Sequence, residues 1–517
     1  MNTERFSKRY SLPFKSLPGS VPMCVSDVAG HEWLRVAEMV KVEGGRLIAI
    51  WGTDRRPLAD RYVISAVYCA DEGLLWLRLV ANEDGYPDLS GIFPAAERMQ
   101  RSLFDLLGVP AKGAEDRRPW INHGRWPKDY FPLRRAHSGK EQFDNGLEEY
   151  PFVQVEGDGV HEIAVGPIHA GTIEPGHFRF SVVGEKVLRL EQRLGYTHKG
   201  TGKLFVGRTM ADGARLAGRI SGDSTVAFAW AYCMAAEGAA RCEIPARAQW
   251  LRALLLERER IANHLGDLGA LGNDAGLAFG LAQFSRLKED WMRLNHQLFG
   301  HRFMMDRVVP GGVAIDLDGA GVDLLRAQCN RVETEVRALH DIYDEHAGLQ
   351  DRFLTAGRVM PKLAAELGLC GMAGRASGQA WDARADQAIA PYAQLDVRMA
   401  THRNGDVAAR VFVRFEEIFE SIRLLREIVR QLPSGPAAVP FPTAAGDALG
   451  SGWVEGWRGA VFVALETDAQ GNILRCHCHD PSWQNWPVLQ HAIMGNIVPD
   501  FPLINKSFNL SYSGHDL

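Results

Sequence analysis

Cysteine is scarce in this chain. Eight thiols, Cys24, Cys69, Cys233, Cys242, Cys329, Cys370, Cys476 and Cys478, are scattered through 517 residues, too few and too irregular for the disulfide framework of a secreted domain. A reducing compartment follows. Long apolar runs are missing as well. The best candidates for a membrane span are Ser224 to Ala236, which is short, and Pro481 to Pro499, which Gln484, Asn485, Gln490, His491 and Asn496 interrupt; a bilayer core needs about 20 predominantly apolar residues. The opening, MNTERFSKRYSLPFKSLPG, lacks a signal-peptide apolar stretch, so a cytosolic location is expected, with any membrane attachment made through partners. There is no excess of basic residues: 58 Lys and Arg stand against 63 Asp and Glu, a formal charge of −5, which argues against nucleic acid as a partner. Also absent are a phosphate loop ending in Gly-Lys-Ser/Thr, a G-x-S-x-G elbow, an H-E-x-x-H helix and any C-x-x-C pair.

An apolar share of 46% and a charged share of 23% describe a compact globular protein, and the length allows two to four folding units at roughly 100 to 200 residues each. The first 135 residues mix short strand-like runs (Leu47 to Trp51, Tyr62 to Tyr68, Leu74 to Val80) with one helical stretch, Ala95 to Leu107, an α+β pattern. Residues 136–150 are polar and rich in turn formers, which places a linker there. From 151 to 517 a small sheet precedes a mainly helical bundle: Val411, Phe415, Ile418, Ile422, Leu425, Val429 and Leu432 recur by four and three, and Gln249 to Leu268 and Leu324 to Tyr343 carry similar stripes. Ala460 to Leu465 and Ile473 to Cys478 flank the turn sequence Asp468 to Asn472, a late β-hairpin.

Cys476-His-Cys-His479 is the densest set of potential metal ligands, but a strand sends both thiols to one face and both imidazoles to the other, so a structural strand is the reading. Gly166-Pro-Ile-His169-Ala-Gly171 and Tyr196-Thr-His198-Lys-Gly200 each set a histidine in a glycine-rich turn, where backbone can approach a ligand or another subunit closely.

Those turns belong to GPIHAGTIEPGHFRF and GYTHKGTGKL, which resemble the opening of the large subunit shared by group 4 membrane-bound [NiFe]-hydrogenases and complex I. In that family's order follow Arg219-Ile-Ser-Gly-Asp-Ser224, Glu257-Arg-Glu-Arg-Ile-Ala-Asn-His264, Pro310-Gly-Gly-Val313, Gly405-Asp-Val-Ala-Ala-Arg410 and Asp480-Pro-Ser-Trp-Gln-Asn-Trp486. Ahead of them, Tyr86 to Glu97, Asp105 to Val109 and Lys128 to Arg134 resemble the small hydrophilic subunit of complex I, fused in front. The resemblance implies a peripheral subunit on the cytoplasmic side of the inner membrane, packed against an iron-sulfur small subunit that carries a [4Fe-4S] cluster, and docked on antiporter-like and other integral membrane subunits.

Four thiolates in two C-x-x-C pairs hold nickel and iron in the hydrogenases that this chain resembles. Here those positions fall on Ser221 and Ser224, and on Ser511 and Gly514. An alcohol is far less acidic than a thiol and its oxygen is a hard donor, so no metal and no cofactor is expected on this chain itself. The family's proton-relaying glutamate falls on Gly202, and the chain stops at Leu517 without the extension many hydrogenases remove after nickel insertion. Complex I reduces quinone in the corresponding cavity, using a turn histidine, which His169 matches, and a tyrosine, whose place falls near Gly222, with Tyr232 about three helical turns further along. His169, His198, Gly202, Arg219 and Asp223 are the candidate cavity residues, and none is assigned as catalytic. Three readings follow: a redox subunit passing electrons to quinone or another acceptor, a non-catalytic coupling subunit of an ion-translocating complex, and an active hydrogenase.

Overall fold

The computed structural model describes the chain except residues 1–2, 57–60, 71–72, 145, 147–148, 170, 172, 388 and 444–445. Its first part is built on a five-stranded sheet in the order Lys15–Ser16, Met23–Val28, Gly73–Ala81, Tyr62–Ala70, Arg46–Asp54. Met23–Val28 and Gly73–Ala81 pair in parallel and the other neighbours antiparallel. Tyr62–Ala70 reads YVISAVYCA and is buried along its whole length; β-branched and aromatic residues without alternation suit a strand covered on both faces. The helix Ala96–Leu107 packs on Arg46–Asp54 and ends at Gly108 in the left-handed conformation. The described residues of 136–150 form no regular element, while 145, 147 and 148 lie outside the description.

An antiparallel sheet of Val160–Val165, His177–Val183 and Lys186–Arg193 follows. Among the described residues, five long helices then make the bundle: Thr225–Ala240, Ala246–Asp274, Ala278–Phe299, Gly319–Glu345 and Val407–Gln431. The apolar line from Val411 to Val429 is buried, as its spacing requires. Ala246–Asp274 lies against both Ala278–Phe299 and Val407–Gln431, and its buried residues include charged ones on every side.

The late hairpin is present as Ala460–Thr467 and Ile473–His479, and a third strand, Leu449–Glu455, joins its outer side. Gly450 and Gly452 conceal that strand in the sequence, and the structure gives their reason: a Cβ at either would collide with the carbonyl oxygen of Ala235 or Ala231 on Thr225–Ala240. The two glycines let strand and helix backbones meet. Thr225–Ala240, covered in this way, has no polar face, and among the described residues no helix is long and apolar enough to cross a membrane.

The two parts of the chain meet along Arg46–Asp54 and Ile473–His479. Trp51 stacks on His477 at 4.9 Å, Arg475 Nε donates to the Gly52 carbonyl at 3.1 Å, and Gln484 Nε2 donates to the Ile48 carbonyl at 2.6 Å. Thr53 and Arg55 both donate to the buried Glu466. This seam fixes the strand that carries Cys476 and Cys478 on one face, with Sγ atoms 3.8 Å apart, and His477 against Trp51 on the other.

Candidate functional site

Ser221 and Ser224 flank the short turn that starts helix Thr225–Ala240, and Ser511 caps the terminal helix Tyr512–Asp516, its Oγ accepting from Gly514 N at 2.9 Å. The fold closes these segments on each other: Ser221 Oγ and Ser511 Oγ are 3.0 Å apart across 290 residues of sequence. Gly514 backs onto Asp480, where a Cβ would lie 2.5 Å from Asp480 Oδ2. The four positions that the sequence resemblance matches to thiolates therefore lie together in one cradle.

An ion pair fills it. Arg458, on the turn between Leu449–Glu455 and Ala460–Thr467, donates Nη1 and Nη2 to the Asp223 carboxylate at 2.8 and 2.6 Å. Its Nε reaches the Asn509 carbonyl at 2.5 Å and its guanidinium lies over Trp457 at 3.9 Å. Ser221 Oγ donates to Asp223 Oδ1 at 2.8 Å, while Ser224 Oγ accepts from Trp457 Nε1 at 3.1 Å. Burial opposes ionisation of Asp223, but the Arg458 charge and these hydrogen bonds outweigh it and hold the carboxyl at about 2. The Asp223 carbonyl is itself held by Asn263 Nδ2 at 2.7 Å and Trp457 Nε1 at 2.9 Å.

Glu259, one helical turn before Asn263, caps the helix that starts at the cradle, accepting from Val226 N at 2.7 Å and Ala227 N at 3.2 Å. Burial raises its carboxyl to about 8, against the lowering effect of those two bonds. Between the ordinary carboxyl value and about 8 the unfolded chain ionises at Glu259 while the folded chain keeps the proton, so stability falls as pH rises. Glu259→Gln is expected to remove that slope between pH 5 and 8, and to cost about 1–3 kcal/mol because the amide nitrogen opposes a backbone N–H. Urea midpoints across this range check it; an unchanged slope refutes it.

The other sequence candidates stand outside this contact shell. Arg219 pairs with Asp306 at 2.6 Å on the surface. His198 Nδ1 donates to the Asp516 carbonyl at 2.7 Å, and Thr197 Oγ1 donates to Asp516 Oδ2 at 2.7 Å, which docks the chain's last residues on the GYTHKG turn. His169 Nε2 donates to the Gly176 carbonyl at 3.1 Å within its own turn. Gly202 lies against Arg475, 3.0 Å from a Cβ built there, and Tyr232 is buried with its hydroxyl on the Met210 carbonyl. Sequence reasoning misses Arg458, Trp457, Asn263 and Asn509 as site residues. Asn263 lies inside the Glu257 to His264 motif with nothing local to single it out, and Trp457-Arg458-Gly459 gives the one available signal, a basic residue in the turn between two largely apolar strands.

Behind the cradle lies a buried ionic network. Glu417 accepts from Arg375 Nη2 at 2.6 Å, His264 Nε2 at 2.8 Å and Arg260 Nη1 at 3.4 Å. Glu257 accepts from Tyr392 and Ser421, each at 2.6 Å, and pairs with Arg384 at 3.0 Å, which also pairs with Asp382 at 2.7 Å. Arg375 extends the network to Glu455 at 2.9 Å. Three guanidinium groups face four carboxyls; burial, with Asp382 nearby, pushes Glu455 up toward its neutral form, which brings the set near balance. The His264 ring meets the Trp457 ring edge-on at 6.1 Å, so network and cradle touch.

A bimetallic centre needs soft, ionised donors. The cradle offers hydroxyls bonded to each other, a glycine and a guanidinium, which do not fit nickel and iron. Residues 26–143 match the respiratory-chain NADH dehydrogenase 30 Kd subunit model and residues 274–448 the 49 Kd subunit model. Formate hydrogenlyase subunit 5 of Escherichia coli (strain K12) is 31% identical over 92% of this chain and 85% of its own length. The chain belongs to the large-subunit family of group 4 hydrogenases and complex I. The fused C/D protein of NADH-quinone oxidoreductase from Bacteroides fragilis is 26% identical over 76% of this chain and 77% of its own length. Among solved structures, a chain of the membrane-bound sulfane sulfur reductase, an archaeal respiratory membrane complex, superposes with a TM-score of 0.66 at 25% identity, covering 69% of this chain and 98% of that one. Membership of the family accounts for the order of the motifs along the chain.

Proposed function

We propose that this chain is a peripheral large subunit, on the cytoplasmic side of a membrane complex, that takes electrons from the [4Fe-4S] cluster of an iron-sulfur small subunit and passes them to quinone or another small acceptor at the cradle, without a nickel-iron centre. Antiporter-like and other integral membrane subunits are its further partners. One observation supports this reading: the Ser221–Ser511 contact at 3.0 Å, with the Asp223–Arg458 pair beside it, brings together positions that the sequence resemblance matches to thiolates. Fixed donors and a guanidinium beside the partly exposed Asp223 suit an acceptor that gains negative charge on reduction. A relative of this fold named for sulfane sulfur reduction agrees with an acceptor other than protons.

The purified complex is expected to oxidise a reduced iron-sulfur partner only when acceptor is supplied, to carry no stoichiometric nickel, and to turn over more slowly with His169→Ala. One nickel per chain by elemental analysis, with hydrogen evolution, would overturn the reading; unchanged turnover in the variant would remove His169 from it. A second reading, a coupling subunit without turnover, is favoured by the ionic network that meets the cradle at His264 and Trp457. Normal assembly with no turnover on any acceptor would establish it.

A further inference from the structure

Away from the cradle, residues near 120, residues 149–154 and the sheet of His177–Val183 and Lys186–Arg193 enclose a recess of about 440 Å³. Its walls are rings. Tyr150 meets Phe152 at 4.8 Å and His123 meets Tyr196 at 4.7 Å, both edge to face. Its polar lining is cationic. Arg193 is 4% exposed, lies over the Tyr150 ring at 4.2 Å and donates to the carbonyls of Pro119 and Asn122, making no ion pair among the described residues. Arg179 pairs with Glu162 through Nη1 at 3.0 Å and lies over Phe152 at 4.5 Å, and its Nε has no partner among the described residues. His177 is 9% exposed; its Nδ1 donates to the Gly166 carbonyl at 2.9 Å, and Nε2, an acceptor in that tautomer, has no partner among the described residues.

Negative charge nearby is already committed or remote. Asp105 Oδ2 takes the backbone N–H groups of Trp120, Ile121 and Asn122, and Glu149 is exposed at the rim. A buried guanidinium without a counter-ion is costly, and guanidinium groups stacked on rings form a planar surface suited to a carboxylate beside an aromatic body. We propose that this recess binds a small aromatic hydroxy acid: its ring lies among Tyr150, Phe152 and Tyr196, its carboxylate engages Arg179 and Arg193, and its hydroxyl donates to His177 Nε2. Because His177 holds Gly166 while His169 holds Gly176, an occupant would brace the turn that carries His169. The site shares no residue with the cradle, so it stands or falls separately from the electron-transfer reading.

Calorimetric titration of the full-length chain with 4-hydroxybenzoate, benzoate and inorganic phosphate tests it. We expect 4-hydroxybenzoate to bind one to one with a Kd below about 1 mM, and benzoate to bind about tenfold more weakly for want of the hydroxyl. Arg179→Gln is expected to weaken both at least tenfold, and His177→Phe to abolish the preference between them. Arg193 straps the segment near residue 120, so these two variants, checked for native circular dichroism, carry the test. No saturable binding by wild type, or affinities that neither variant changes, would overturn the proposal.

Discussion

Glu417→Gln is expected to lower the unfolding free energy by about 3–5 kcal/mol at pH 7, the usual cost of removing one partner from a buried ion pair. The carboxylate is 2% exposed and takes donors from three residues at once, Arg375, His264 and Arg260, of which both arginines are fully buried. An amide keeps the shape but loses the charge and turns N–H groups toward N–H donors. Burial disfavours ionised Glu417, yet the arginines around it, Arg375 above all, with the His264 hydrogen bond, bring its carboxyl well below the ordinary value. A depressed carboxyl stabilises the fold fully above its unfolded value near 4.3 and progressively less below it. The variant should therefore differ most from wild type at neutral pH and converge with it as pH falls below 4. Urea unfolding at pH 7 and at successive pH values below 4 measures this; a loss under about 1 kcal/mol at pH 7 would mean that the network shares the charge without Glu417.

Charged motifs in a sequence suggest a surface, and Glu257-Arg-Glu-Arg-Ile-Ala-Asn-His264 would pass for one. Every one of those charges is buried: Glu257, Arg260 and His264 in the network, Arg258 on Asn295 and over the Trp291 ring, Glu259 as a helix cap. Periodicity locates Val407–Gln431 because its apolar residues recur on one face. It says nothing of Leu449–Glu455, where the alternating signal is carried by glycines that make room for a helix backbone. The convergence of Ser221 with Ser511 is legible only through family resemblance, since no local pattern pairs residues so far apart. The role of Arg458 is not legible, because it depends on a partner, Asp223, that tertiary structure supplies.

That pair gives the sharpest test of the cradle. Arg458→Met is expected to destabilise more than Asp223→Asn, because the pair is asymmetric. Without Arg458, Asp223 still reaches solvent, its side chain being 36% exposed, but the 1% exposed Asp480 loses the cation that lowers its carboxyl against burial. Without Asp223, Arg458 keeps Asp480 and the Asn509 carbonyl. In the double variant the two losses should not add: residues in one ion pair typically show coupling of about 0.5–3 kcal/mol. Turnover should follow a different order. If reduced acceptor is held at the cradle, Arg458→Met removes the guanidinium paired with Asp223 there and should slow acceptor-dependent oxidation of the partner cluster by about 10²-fold, the size seen when a preorganised donor is lost. Asp223→Asn frees the guanidinium for an anionic acceptor, so its turnover should hold or rise although its stability falls. Equal losses of turnover in both variants would show that the pair acts as a structural clasp, with acceptor bound elsewhere.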